Sequence, residues 1–306
     1  MPEVLILMAT HNGERFLADQ LASIAMQSHR DWRLLISDDA STDRSRQIIG
    51  DFIRTRPEGQ VTLLQGPEKG ATENFLSLLR RADLGNSHLA FCDQDDVWEK
   101  DHLSRAMATL PRLQNPLAVY GCRMRVCGET LNPIGLSPRP SRPLQFRNAL
   151  VQSMISGNTM VMTSAAAHLL QKAERQIGLV PVHDWWAYQM ITGAGGTAIL
   201  ENNPSVLYRQ HNRNVIGLKQ GLLALPARAR GHLKGRGRAW AQQNSAALMA
   251  CASLLTPENR RCLDAFTTAL SAPLPRKIAL LLRSGVYYQD RRDRAAFWLL
   301  VALCRF

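Results

Sequence analysis

The sequence predicts a doubly wound α/β fold, and three observations carry that expectation. Through the first third of the chain, apolar runs of strand length alternate with segments whose apolar residues recur at helical spacing. The runs are continuous rather than alternating, as expected of parallel strands buried on both faces. Polar clusters directly follow three of the runs, at the strand ends where ligands collect in such sheets.

Val4–Ala9 is the first strand, punctuated by Gly13, after which Phe16, Leu17, Leu21 and Ile24 recur as one helix face. Trp32–Ile36 is a second strand, ended by Ser37-Asp38-Asp39. Ser41 or Thr42 is placed to cap the next helix, which buries Ile48, Ile49, Phe52 and Ile53. Val61–Leu64, a helix around Phe75–Leu79, and His88–Cys92 continue the alternation. Further on, Val119–Val126 and Thr159–Thr163 read as strands, separated by a loop holding Pro133, Pro138, Pro140 and Pro143. Ala165–Ile177 and Trp185–Ile191 read as helices, the second opening after His183-Asp184. Gly, Arg and Lys alternate from Ala229 to Arg238 as a linker or exposed loop, and two or three helices are expected beyond it.

The chain has 306 residues, 45% hydrophobic and 20% charged, an ordinary globular mix that excludes disorder and a fibrous repeat. The length suggests one core domain, residues 1–217, with an appendage, residues 218–306. No apolar run approaches the ~18 residues of a membrane span. Val4–Met8 is short for a signal-peptide core and follows Glu3 rather than a basic segment, so a cytoplasmic location is expected. The six cysteines form no C-x-x-C pair and read as reduced thiols.

Net charge is +12, but unevenly spread: residues 1–110 carry −5, residues 111–217 carry +6, and the last 89 residues carry +11. Such polarity fits a catalytic body with a basic tail. In the tail Lys277, Arg283, Arg291, Arg292 and Arg294 are interleaved with apolar and aromatic residues. Basic amphipathic helices of this kind suit the inner face of an anionic cell membrane, or pack on the catalytic body, or both.

Three clusters are candidates for chemistry. Asp93-Gln94-Asp95-Asp96 puts three carboxylates in four residues at a strand end, where they repel one another unless a cation lies among them. Mg²⁺ or Mn²⁺ suits such oxygen ligands, with substrate phosphates completing the shell; the other reading is a solvated acidic turn. Asp38-Asp39-Ala40-Ser41-Thr42-Asp43 reads equally as a helix cap or as a carboxylate holding a ribose or base. Thr10-His11-Asn12-Gly13 reads alone as a plain turn.

Together, Ala-Thr-His-Asn-Gly, Ser-Asp-Asp-Ala-Ser-Thr-Asp and Phe-Cys-Asp-Gln-Asp-Asp-Val-Trp resemble the nucleotide-sugar half of family 2 glycosyltransferases. Ser156-Gly157-Asn158-Thr159, His183-Asp184-Trp185-Trp186 and Tyr208-Arg209-Gln210-His211-Asn212 extend the resemblance to about residue 217. The branch it resembles contains rhamnosyltransferases of bacterial surface polysaccharide synthesis.

The resemblance implies a GT-A fold, a nucleoside-diphosphate sugar as donor, with dTDP-L-rhamnose first, and a glycan or lipid-linked acceptor. It places Thr10, His11, Asn12, Asp38 and Asp39 at the base and ribose. Asp93, Asp95 and Asp96 fall at the metal, and Asp93 and His211 by the diphosphate. Asp184 falls where the family has its catalytic base, with Gly157, Asn158, Trp185 and Trp186 on the acceptor side. Of the two tryptophans, one is expected in the core and one in the site, and His183 either caps the helix or orients Asp184. His11 departs from the family's usual Tyr, and Asn212 from its usual Gly. The rival readings are a polyprenyl-phosphate glycosyltransferase, an inactive sugar-nucleotide binder, and a nucleic-acid-binding protein. The acidic first third and the lack of any nucleic-acid motif argue against the last.

Overall fold

In the computed structural model, residues 2–212 and 236–306 are described. The proposed boundary at 217/218, His232, and Ala229 to Gly235 of the expected linker lie outside them; Arg236 to Arg238 already belong to a helix.

Parallel strands β1 (Val4–Thr10), β2 (Trp32–Asp38), β3 (Val61–Gln65) and β4 (His88–Cys92) stand in the order β3-β2-β1-β4. Helices α1 (Leu17–Ala25), α2 (Ser45–Arg54) and α3 (Ala71–Arg81) connect them. Side chains of β1 alternate between two cores: Leu5, Leu7 and Ala9 enter one, Val4, Ile6 and Met8 the other. This period of two across a doubly covered sheet is why the run is apolar at every position. The cap expected from Ser41 or Thr42 is not made: Arg44 holds the cap position without a side-chain bond, and Asp43 before it accepts the Ser45 N–H at 2.9 Å through Oδ1.

Beyond β4 the sheet becomes mixed. β8 (Val161–Met162) is antiparallel to β4, and β6 (Ala118–Cys127) antiparallel to β8. β9 (Thr197–Arg209) runs parallel to β6, and β5 (Val97–Trp98) antiparallel to β9. β7 (Pro133–Leu136), inside the expected proline-rich loop, pairs with β6. The predicted strand Thr159–Thr163 is thus reduced to two residues, preceded by a 3-10 turn at Gly157–Thr159. The thirteen-residue β9 is unanticipated: Glu201-Asn202-Asn203-Pro204 reads as a turn, but a register shift opposite Cys122 and Met124 absorbs it.

Helices α4 (His102–Thr109), α5 (Phe146–Ala149), α6 (Ser164–Glu174) and α7 (His183–Gly193) complete the body. Among the described residues four more follow, rather than two or three: α8 (Arg236–Ala250), α9 (Pro257–Ser271), α10 (Leu274–Ser284) and α11 (Arg291–Ala302). They do not stand apart. Leu248, Phe266, Leu281 and Phe297 belong to the same core as Leu79, Phe146, Tyr188 and Leu7 of the sheet body. The cysteines are free and buried except the exposed Cys304. No helix of the described residues is long and apolar enough to cross a membrane.

Trp186 lies fully buried in this shared core. Trp186→Ala should lower stability by ~3–5 kcal/mol, the usual cost of deleting a buried large aromatic, read as a drop in the urea midpoint. A change below about 1 kcal/mol would mean the shared core relaxes around the hole.

Candidate active site

The carboxyl ends of β1, β2 and β4 share one edge, because Thr10 is in register with Asp38 and Met8 with Cys92. The three polar clusters therefore converge, as the strand-end rule requires.

Their side chains divide into those that build the edge and those that face outward. Asp38 is fully buried and accepts from Thr10 Oγ1 at 3.3 Å, Ser41 N at 3.2 Å and Arg46 Nη1 at 3.1 Å. Asp38 and the buried Thr10 thus present no surface to a nucleotide, which corrects the expectation for both. Asp39 holds the loop before α3 through the backbone N–H groups of Glu68 at 2.5 Å and Gly70 at 2.9 Å. His11 is exposed, its Nδ1 2.7 Å from the Asp39 carbonyl. Half-buried Asn12 adopts φ +46° and ties the first two loops, taking the Thr42 N–H at 2.9 Å. Of the expected base and ribose contacts, His11 and Asn12 keep the most open surface.

The acidic loop is likewise differentiated. Asp96 is fully buried; Oδ1 accepts the Arg209 backbone N–H at 3.0 Å and Oδ2 accepts from Asn158 Nδ2 at 2.5 Å. Both oxygens are engaged inside the protein, so Asp96 is corrected from metal ligand to buried anchor, and the fully buried Asn158 from acceptor contact to the same anchor. Asp95 keeps partial exposure, its Oδ2 2.8 Å from His211 Nε2. Asp93 is half-buried, and its carboxyl is pushed well above the usual range, first by desolvation, then by the charges of Asp96, Asp95 and Asp184. Burial likewise raises Asp96, with Asp95 adding to it and the bonds from Asn158 and Arg209 opposing it.

Two residues not singled out from the sequence hold this loop in place. Gln94 bridges to the first loop, accepting the His11 N–H at 2.9 Å and donating to the His11 carbonyl at 3.0 Å. A Cβ on Gly13 would meet Gln94 Oε1 at 2.3 Å, so this approach needs a glycine. Arg209, nearly buried at the end of β9, donates to the Asp95 carbonyl at 2.9 Å, to Asp19 at 2.8 Å and to the Glu129 carbonyl. Its guanidinium lies 4.4 Å from the Phe16 ring centroid, and the His211 ring packs on the same phenyl at 4.9 Å. The only sequence signal for Arg209 was its place beside His211.

Asp184 sits in the first turn of α7. Its Oδ2 accepts the Gly157 N–H at 2.7 Å. A Cβ on Gly157 would lie 3.1 Å from Asp184 Cβ, so the small residue permits the bond. Burial pushes the Asp184 carboxyl up to about 6, against backbone N–H groups of Gly157, Trp185 and its own that lower it. Burial outweighs the helix N-terminus here. His183 neither caps nor orients: it opens the helix and stacks on Phe75 at 3.9 Å, and burial pushes its imidazole down to about 3. Trp186 is core, correcting its acceptor assignment. Trp185 is half-buried, donates to the Ala149 carbonyl at 2.7 Å and meets Trp240 of α8 edge-on at 6.1 Å.

Among the described residues, no three His, Cys, Asp or Glu side chains form a complete metal cage. The donor set nevertheless fits a divalent cation that shares its shell with substrate. Asp95 offers a carboxylate beside an imidazole, and Asp93 lies where neighbouring negative charge goes uncompensated.

The glycosyl transferase family 2 model matches residues 5–177. The dTDP-rhamnosyl transferase RfbG of Shigella flexneri is 30% identical over 220 residues, covering 69% of this chain and 73% of that one. Among solved structures, S. aureus TarS 1-349 in complex with UDP-GlcNAc aligns at a TM-score of 0.55 and 16% identity, covering 94% of this chain and 93% of that one. The mannosyltransferase PcManGT from Pyrobaculum calidifontis, in complex with GDP-Man and Mn²⁺, aligns at 0.51 and 20%, covering 93% and 86%. The chain therefore belongs to glycosyl transferase family 2, and its fold is the GT-A fold.

The Asp96 anchor is testable without activity. Asn158→Ala deprives a buried carboxylate of a donor and should cost ~2–3 kcal/mol in urea denaturation. Asn158→Asp, which sets a second acid against Asp96, should cost more as pH rises, because burial already raises the Asp96 pKa and the two groups cannot both ionise cheaply. Equal stability of both variants and the parent would deny the anchor.

Proposed function

We propose that this family 2 glycosyltransferase moves a sugar from a nucleoside diphosphate to an acceptor hydroxyl, with inversion, using Asp184 as the base. The observation that carries the reading is the placement of Asp184. Its carboxylate is desolvated, held by the Gly157 N–H, and close enough to Asp93 to raise that group's pKa. A base and a candidate diphosphate site thus lie close together.

In this reading the acceptor oxygen bonds to the anomeric carbon, the bond from that carbon to the diphosphate breaks, and the nucleoside diphosphate leaves with the electron pair. The acceptor proton passes to Asp184. Asp95, with His211 beside it, and Asp93 would hold Mg²⁺ or Mn²⁺, which when bound neutralises charge gathering on the leaving diphosphate. His11 and Asn12 line the nucleotide end, and Trp185 offers an apolar face on the acceptor side. dTDP-L-rhamnose is the first donor to test, because the Shigella relative is a dTDP-rhamnosyl transferase. A glycan or lipid-linked acceptor of surface polysaccharide synthesis accords with that choice. We read residues 1–217 as the catalytic part and 218–306 as a basic C-terminal region, whose described helices from Arg236 onward share a core with it.

Asp95→Asn keeps size and shape but removes a charge. Donor affinity in Mn²⁺, measured by calorimetry, should fall, while affinity without metal should change little. A fully retained metal increment would make Asp95 a turn residue.

Asp184→Asn should leave donor affinity nearly unchanged and lower transfer by about two to four orders of magnitude, the usual worth of a general base. The base works ionised, and its pKa is raised to about 6 from 3.8. The parent's rate should therefore climb about tenfold per pH unit below 6 and level off above it. A flat profile between pH 5 and about 7, or a loss under tenfold in the variant, would move the base elsewhere.

A further inference from the structure

The outer faces of α10 and α11 carry an unusual combination of side chains. Ile278 and Leu282 lie four residues apart on α10, and Leu299 and Leu303 four apart at the end of α11. Leu282, Leu299 and Leu303 are 65%, 61% and 55% exposed; three other large apolar side chains of the described residues, Met26, Ile134 and Leu179, are as open but stand on separate segments of the chain. Other sides of the two helices, through Leu281 of α10 and through Phe297 and Val301 of α11, enter one core. The exposed leucines therefore turn away from the same core, on neighbouring helices.

Arg276, Arg283, Arg291, Arg292, Arg294 and Arg305 are exposed on and around these helices, against Asp290 and Asp293. Asp290 is engaged as the cap of α11, where it accepts the Arg292 N–H at 2.5 Å. Lys277, expected from the sequence to join this face, does not: it is buried and donates to the Phe306 carbonyl.

We propose that this face rests on an anionic lipid bilayer, with Ile278, Leu282, Leu299 and Leu303 entering the boundary between headgroups and acyl chains. The arginines then meet lipid phosphates at the level of the headgroups, the arrangement of an interfacial amphipathic helix. A second copy of the chain fits poorly, because a twofold interface would set these arginines against themselves. The half-buried Trp298 beside Leu299 adds an amphipathic ring suited to the same level. The surface is independent of the sugar transferred. It would bring the proposed active site to an acceptor carried on lipid.

The test is cosedimentation of the full chain with phosphatidylglycerol vesicles and with phosphatidylcholine vesicles. The parent should partition onto the first, less so as salt rises, and only weakly onto the second. Arg283→Glu with Arg292→Glu should lower partition by well over tenfold, since each basic residue near such a surface contributes several-fold. Leu282→Ser with Leu299→Ser should lower it independently. All four residues are exposed, so urea midpoints and donor affinity should stay at parental values. That separates failure here from failure of the catalytic reading. Absence of binding to phosphatidylglycerol, or equal binding by parent and both double variants, would overturn the proposal. So would a concentration-dependent dimer that the leucine variant abolishes without any vesicle binding.

Discussion

The site depends on one buried carboxylate. Asp96 joins three parts of the chain that are far apart in sequence: its own loop after β4, the end of β9 through the Arg209 N–H, and the turn before β8 through Asn158. An ionisable group in the interior is costly unless hydrogen-bonded, and here both oxygens are met. Consequences spread from that point. Arg209, fixed at its backbone, turns its guanidinium onto the Asp95 carbonyl, Asp19 and the Phe16 ring, and His211 two residues later is brought to Asp95. On the other side, Asn158 fixes the turn whose first residue, Gly157, donates to Asp184. The Asp96 bonds thus tie the Asp95–His211 pair to the turn that holds Asp184, the proposed base.

How much of this was legible follows from where the information lies. β1 to β4 were readable because continuous apolar runs have few other uses, and each strand end could be located from the polar residues that stop it. β9 was not, because its middle carries Glu201 to Pro204, and only a register shift against β6 turns that apparent break into strand. The acidic loop could be picked out as a cluster. Its division of labour could not, since Asp93, Asp95 and Asp96 differ in what lies around them rather than in sequence. Arg209 was the hardest to read. An arginine after an apolar segment looks like a surface charge, and its partner Asp19 is 190 positions away.

Asp184 illustrates the same limit in electrostatics. Its position at a helix start argues for a carboxylate that ionises easily, and the three backbone N–H groups around it act in that direction. Burial acts against them and is larger, so the group ends near 6 instead of below its ordinary value. A sequence reveals the helix start but not the depth of the residue. The outcome suits the assigned role better than the expectation did, because a base poised near working pH both ionises and retains affinity for a proton.

The basic C-terminal helices gain a different meaning once their buried sides are considered. Charge asymmetry along the chain suggested a basic tail that sits on a membrane, packs on the catalytic body, or both, and the packing is what the contacts show. Gly193, at the end of α7, leaves room for Leu255 and Phe146; an added Cβ would meet them at 2.8 and 2.9 Å. Thr256 donates its N–H to the Gly193 carbonyl at 3.0 Å, and Asn259 donates to the same carbonyl. The helix that carries Asp184 in its first turn is therefore bound at its other end to the segment that starts α9. Interiors are close-packed and deform little, so the exposed basic face of α10 and α11 is held in a set orientation to the candidate base. A flexible tail could supply attraction to a surface, but only a packed one can also decide which way the candidate base faces when it arrives.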